Sequence, residues 1–137
     1  MNDVEAIRQL KARYFRLMDT KDWDAMRFVL TDDVVMDTTA SGGNLMTGAD
    51  RYMVFLREAI GDVLTVHHGH TPEIELTSET TATGIWAMED MLRWPNGKEM
   101  HGYGHYHETY EKVHGAWRIK TLTLTRLRVD FSEPIDR

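Results

Sequence analysis

Cysteine is absent from the 137 residues. Disulfides and thiolate metal sites are therefore excluded, and the fold must rest on packing, which suits a reducing cytoplasm. Positive charge is also in short supply, with 16 Lys and Arg against 22 Asp and Glu for a formal charge of −6. Without a basic patch, neither a nucleic acid backbone nor an anionic membrane surface is attracted to such a chain. No apolar run approaches membrane-spanning length, and the opening "MNDVEAIRQLKARYF" is too charged for a secretory signal. No repeat, low-complexity stretch or linker interrupts the sequence. A cytoplasmic protein of one domain, residues 1–137, with a small-molecule partner is expected.

What is present is a soluble composition, 42% hydrophobic and 28% charged. Asn2 and Glu5 form a capping-box-like start, and Val4, Ile7, Leu10, Tyr14, Leu17 and Met18 recur at helical spacing, which predicts a helix over 3–18. A second helix is expected from Asp22, a cap, to Leu30, followed by a strand at "VVMDTT", a loop at "ASGGN" and a third helix in "GADRYMVFLREAIG". After Gly61 long alternating runs broken at "PNG" and "HG" predict four strands near 63–77, 80–94, 99–113 and 116–130. Helices first and hairpins after indicate an α+β protein: three N-terminal helices packed on a strongly curved, mainly antiparallel sheet, forming a cone able to hold a small ligand.

The stretches "ARYFRLMDTKDWDAM", "TDDVVMD", "TGADRYMVFLR", "TVHH", "TATGIWAMED", "GYGHYHETYEKVHGAWRI" and "TRLRVDF" together resemble the SnoaL-like branch of the nuclear transport factor 2-like superfamily. "DTKDWD" is similar to the corresponding stretch of scytalone dehydratase, and the arrangement also resembles bacterial bile acid dehydratases and a dehydrochlorinase of chlorinated cyclohexanes. The resemblance implies a cone-shaped α+β barrel and a catalytic dyad of Asp19 and His67. In such a dyad a neutral imidazole takes a proton beside an activating carbonyl while the carboxylate fixes the tautomer. Read without the resemblance, Asp19 is a cap for the second helix and His67 a surface histidine. Simple alternation puts His67 opposite Leu64, Val66, Ile74 and Leu76, so facing the core requires a bulge near Gly69 or Pro72.

Asp90 shares a strand face with Trp86, Met88 and Leu92, where a carboxylate is costly unless paired or functional. The resemblance makes it a general acid or second polar anchor; a backbone-bonded strand end is the alternative. Tyr14 lies on the helix stripe, five positions before Asp19 as in the bile acid enzymes, and its phenol can donate to a substrate oxygen. Scytalone dehydratase has its tyrosine immediately before the aspartate, where this chain has Met18. Arg126 and Arg128 fall on one strand face, and a guanidinium in the cavity could hold an enolate oxygen; Arg126 is preferred as catalytic and Arg128 as substrate-binding. Trp86, Met88, Tyr106 and Phe55 are expected to line an apolar pocket. The resemblance implies that Gly102, Gly104, Tyr106 and Glu108 face the cavity, which puts His101, His105 and His107 on the outer face; a cupin's second motif is missing after Gly115, and no metal or cofactor is expected.

The expected activity is a cofactor-independent, dehydratase-like lyase acting on a ring-bearing or polyketide-like substrate and assembled as a trimer or dimer. A polyketide cyclase or ketosteroid isomerase-like enzyme with Asp90 as base, and a non-catalytic binding or assembly module, are the rivals.

Overall fold

The Asn2 side chain accepts from the Glu5 N–H at 2.8 Å, and helix α1 (Asp3–Asp19) follows with Ile7, Leu10, Tyr14, Leu17 and Met18 buried along its stripe. The computed structural model describes residues 1–134. Asp22 caps α2 (Trp23–Arg27), accepting from the Ala25 N–H at 3.2 Å, so Asp19 is free of that duty. This helix stops three residues short of expectation. The Val29 carbonyl accepts from the Ile119 N–H at 2.8 Å, and the sheet takes the chain as β1 (Leu30–Asp37).

A 3-10 turn at Thr39–Ser41 leads to a short strand, β2 (Leu45–Thr47), which the sequence reading missed, and then to α3 (Ala49–Ile60). Four long strands complete the chain: β3 (Leu64–Leu76), β4 (Thr81–Arg93), β5 (Glu99–Val113) and β6 (Ala116–Ser132). Their hairpins form the expected meander. The sheet order is β2-β1-β6-β5-β4-β3, antiparallel except where β1 lies parallel to β6. The result is a curved, mixed but mostly antiparallel sheet with three helices, the cone-shaped fold expected from the sequence. Burial of side chains such as Ile7, Leu10, Met26, Leu30, Val34 and Ile119 holds it together, each contributing roughly 1.5–3 kcal/mol.

Inserted residues set which side chains face inward. In β3 the register with β4 runs from His70↔Ala87 to Glu73↔Ile85, leaving Thr71 and Pro72 opposite Trp86 alone. This is the required bulge. Thr71 adopts φ 42°, an uncommon conformation for a β-branched residue, and Pro72 has no N–H to give a ladder. Strand β6 carries two further shifts against β5, one at Lys120 and one at Leu127. Each reverses the inward parity of the residues that follow.

Candidate active site

Helix α1 ends against β3, and this junction brings Asp19 to His67. The Nδ1 of His67 lies 2.7 Å from Asp19 Oδ1, and the backbone N–H of His67 donates to Asp19 Oδ2 at 2.8 Å. The Thr65 hydroxyl donates to Asp19 Oδ1 at 2.9 Å. With Nδ1–H bound to a carboxylate, Nε2 is left as the imidazole's proton acceptor. Lys21, at φ 62°, turns back so that its ammonium donates to Thr65 Oγ1 at 3.0 Å; burial lowers its pKa from the ordinary lysine value. Thr65 and Lys21 were not singled out from the sequence. The available signal was that Thr65 shares strand parity with His67, and that Lys21 sits inside "DTKDWD".

His67 borders a cavity of about 740 Å³ together with Tyr14, Tyr52, Phe55, Tyr106, Asp90 and Arg126. The volume suits a small organic molecule. Burial raises the pKa of Tyr14, Tyr52 and Tyr106 above the ordinary tyrosine value, so all three are neutral O–H donors. On its other side His67, with Asp19, Arg16 and His68, borders a second, shallower groove.

Asp90 is buried and bound by Arg126 in a two-pronged ion pair, Nη1 to Oδ1 at 2.8 Å and Nη2 to Oδ2 at 2.9 Å. The Arg126 Nε donates to Ser41 Oγ at 2.8 Å, tying the guanidinium to the turn at the cavity mouth. Gly102 makes room for this pair, because a Cβ there would collide with both the guanidinium and the carboxylate. Asp90 is thus an inward carboxylate as expected, but both its oxygens are engaged, and it serves as anchor of Arg126.

Three expected site residues lie elsewhere. Arg128 points outward with its side chain 71% exposed and binds Asp130, because the Leu127 bulge ends the parity that Arg126 follows. Val129 and Phe131 line the cavity in its place. Trp86 and Met88 occupy the inward face of β4 but lie in the packed core rather than the cavity wall; the Trp86 indole N–H donates to the Tyr110 hydroxyl at 2.9 Å. Alternation gave their face correctly, while depth along the strand is not a periodic signal. His101 and His107 are exposed and His105 half-buried, on the face opposite the cavity.

A family model described as a SnoaL-like domain matches residues 1–123. Over 133 residues the chain is 24% identical to the probable cyclase FGR4 of Gibberella zeae, covering 88% of this chain and 89% of that protein. Among solved structures, a candidate scytalone dehydratase from Novosphingobium aromaticivorans is 24% identical with a TM-score of 0.84, covering 98% of this chain and 94% of its own. The hexachlorocyclohexane dehydrochlorinase LinA-type3 from Novosphingobium barchaimii is 16% identical with a TM-score of 0.81, covering 96% and 90%. At these identities the solved structures share the fold with this chain. No helix among the described residues is long and apolar enough to cross a membrane.

Proposed function

The chain belongs to the SnoaL-like domain family, and on that premise we propose that it is a cofactor-independent lyase that dehydrates a small ring-bearing or polyketide-like ketone. The observation that carries this reading is the 2.7 Å contact of His67 Nδ1 with Asp19, which leaves Nε2 on a cavity large enough for such a substrate. The Nε2 of His67 takes a proton from the carbon beside the carbonyl, and Asp19 stabilises the imidazolium that forms. Phenol donors, Tyr14 and Tyr106, hold the carbonyl oxygen as it gains charge, with Arg126 on the same wall. The carbon–oxygen bond to the β-hydroxyl then breaks, and the imidazolium returns its proton to the departing oxygen. The products are the unsaturated ketone and water, with His67 neutral again.

Cyclisation, favoured by the similarity to a probable cyclase, shares the first step and replaces hydroxide departure with carbon–carbon bond formation. The test uses a β-hydroxytetralone, which loses water to give a naphthol with a new absorbance band. Wild-type protein should form it, His67→Ala should lose roughly 10²- to 10⁴-fold in rate, and Asp90→Asn should retain activity. The reverse pattern of the two variants would move the base to Asp90, as in an isomerase-like enzyme. Wild-type protein that binds the tetralone without forming the naphthol would leave a binding module, and turnover retained in both variants would overturn the dyad.

A further inference from the structure

A lysine on the apolar stripe of a helix has to be accounted for. Lys11 stands four residues after Ile7 and three before Tyr14, and its side chain is completely buried, as is that of Glu108. Their ammonium and carboxylate meet at 2.6 Å. The second oxygen of Glu108 accepts from the Tyr110 hydroxyl at 2.6 Å, which in turn accepts from the Trp86 indole N–H. Each side-chain nitrogen and oxygen of this cluster has a hydrogen-bond partner. Stability alone does not explain it, since well-packed apolar residues of similar volume usually serve as well as a buried ion pair.

The ammonium's other neighbours are three ring faces: its nitrogen sits 3.7 Å from the Tyr14 ring centroid, 3.8 Å from that of Tyr106 and 4.8 Å from that of Phe15. The two tyrosine rings belong to the cavity wall. Tyr14 rides on α1 and Tyr106 on β5, so their mutual position depends on how the helix seats on the sheet. Lys11 lies one helical turn from Tyr14, and Glu108 lies two residues along the strand from Tyr106, on the same face. The pair therefore ties helix to strand within three residues of each phenol.

We propose that Lys11 and Glu108 are positioning residues for the reaction, locking the Tyr14 and Tyr106 rings so that their hydroxyls are held ready for the substrate's carbonyl oxygen. This rests on the lyase reading for its kinetic consequence, and on geometry alone for the locking. Burial holds the Lys11 pKa down to about 8 against the opposing pull of Glu108, which reflects how completely the cation has been withdrawn from water.

The test is the double variant Lys11→Met/Glu108→Gln, which removes both charges, keeps the volume and leaves Tyr110 an acceptor. Its thermal midpoint should match or exceed that of the wild type. The kcat for β-hydroxytetralone should fall roughly ten- to a hundredfold, with KM within about twofold, because misplaced donors cost turnover more than binding. In ligand-free protein labelled with fluorotyrosine, the Tyr14 and Tyr106 fluorine resonances should shift and broaden as the rings gain freedom. A folded variant with wild-type kcat and unmoved resonances would overturn the proposal. If wild-type protein leaves the tetralone untouched, the lyase reading fails and the resonances alone decide the locking. Lys11→Gln/Glu108→Gln, able to form a neutral hydrogen bond, carries the same measurements if the methionine variant does not fold.

Discussion

Removing one member of the Asp90–Arg126 pair should destabilise the protein far more than removing both. The pair makes two charge-assisted hydrogen bonds at 2.8 and 2.9 Å, with the side chains 5% and 10% exposed. Arg126→Ala strands a carboxylate with no charge partner, a loss of about 3–5 kcal/mol. Asp90→Ala leaves a guanidinium still bonded to Ser41 and opening on the cavity, so its loss should fall nearer 3 kcal/mol. Asp90→Leu/Arg126→Met replaces the pair with apolar groups and should lie within about 1 kcal/mol of wild type. Urea unfolding followed by tryptophan fluorescence gives each value from the midpoint and slope. Additive single losses, or losses under about 1 kcal/mol, would refute the view that each charge exists to hold the other.

Two further outcomes are expected. Gly102→Ala should force the same pair apart and cost about 1–3 kcal/mol by overpacking, measured by the same unfolding assay; unchanged stability would show that the ion pair can shift without penalty. The depressed Lys11 pKa, about 8 against an ordinary 10.5, means that between these values the unfolded chain holds more protons than the folded one. The penalty of burying this cation is fully present below about pH 8 and fades as pH rises, so wild-type stability should gain on Lys11→Met/Glu108→Gln between pH 7.5 and 9.5, with pH-independent differences refuting the assignment.

The long strands and their turns were legible because a period of two survives over a dozen residues and "PNG" and "HG" punctuate it. The helix stripe of α1 was equally plain. What escaped were features decided by partners distant in sequence. Strand β2 has three residues, too few for any pattern, and exists because β1 offers an edge. Leu30 reads as the last apolar residue of a helix, but its place in the sheet is set by Ile119. Lys11 reads as a solvated residue because lysine on a helix normally faces water, and its partner Glu108 is 97 positions away. Of the candidate site, Asp19 and His67 could be named because the resemblance supplied their pairing, and the bulge at Thr71 and Pro72 could be demanded because His67 otherwise faced the wrong way. Arg126 and Arg128 could not be separated, since parity fails wherever a single extra residue enters the strand.

That extra residue has an evolutionary side. Leu127 is the hinge of a frame: between Lys120 and Leu127 the even-numbered positions of β6 look inward, and beyond Leu127 the odd-numbered ones do. Drawing Leu127 into the ladder opposite Tyr103, with no change of length, would turn Arg128 and Asp130 inward and Val129 and Phe131 outward, exchanging an oily entrance for a charged one, whereas deleting Leu127 would close the bulge and leave every facing as it is. A lineage built on this scaffold can therefore exchange one entrance chemistry for another by absorbing the bulge into the ladder, with the residues of the entrance themselves unchanged.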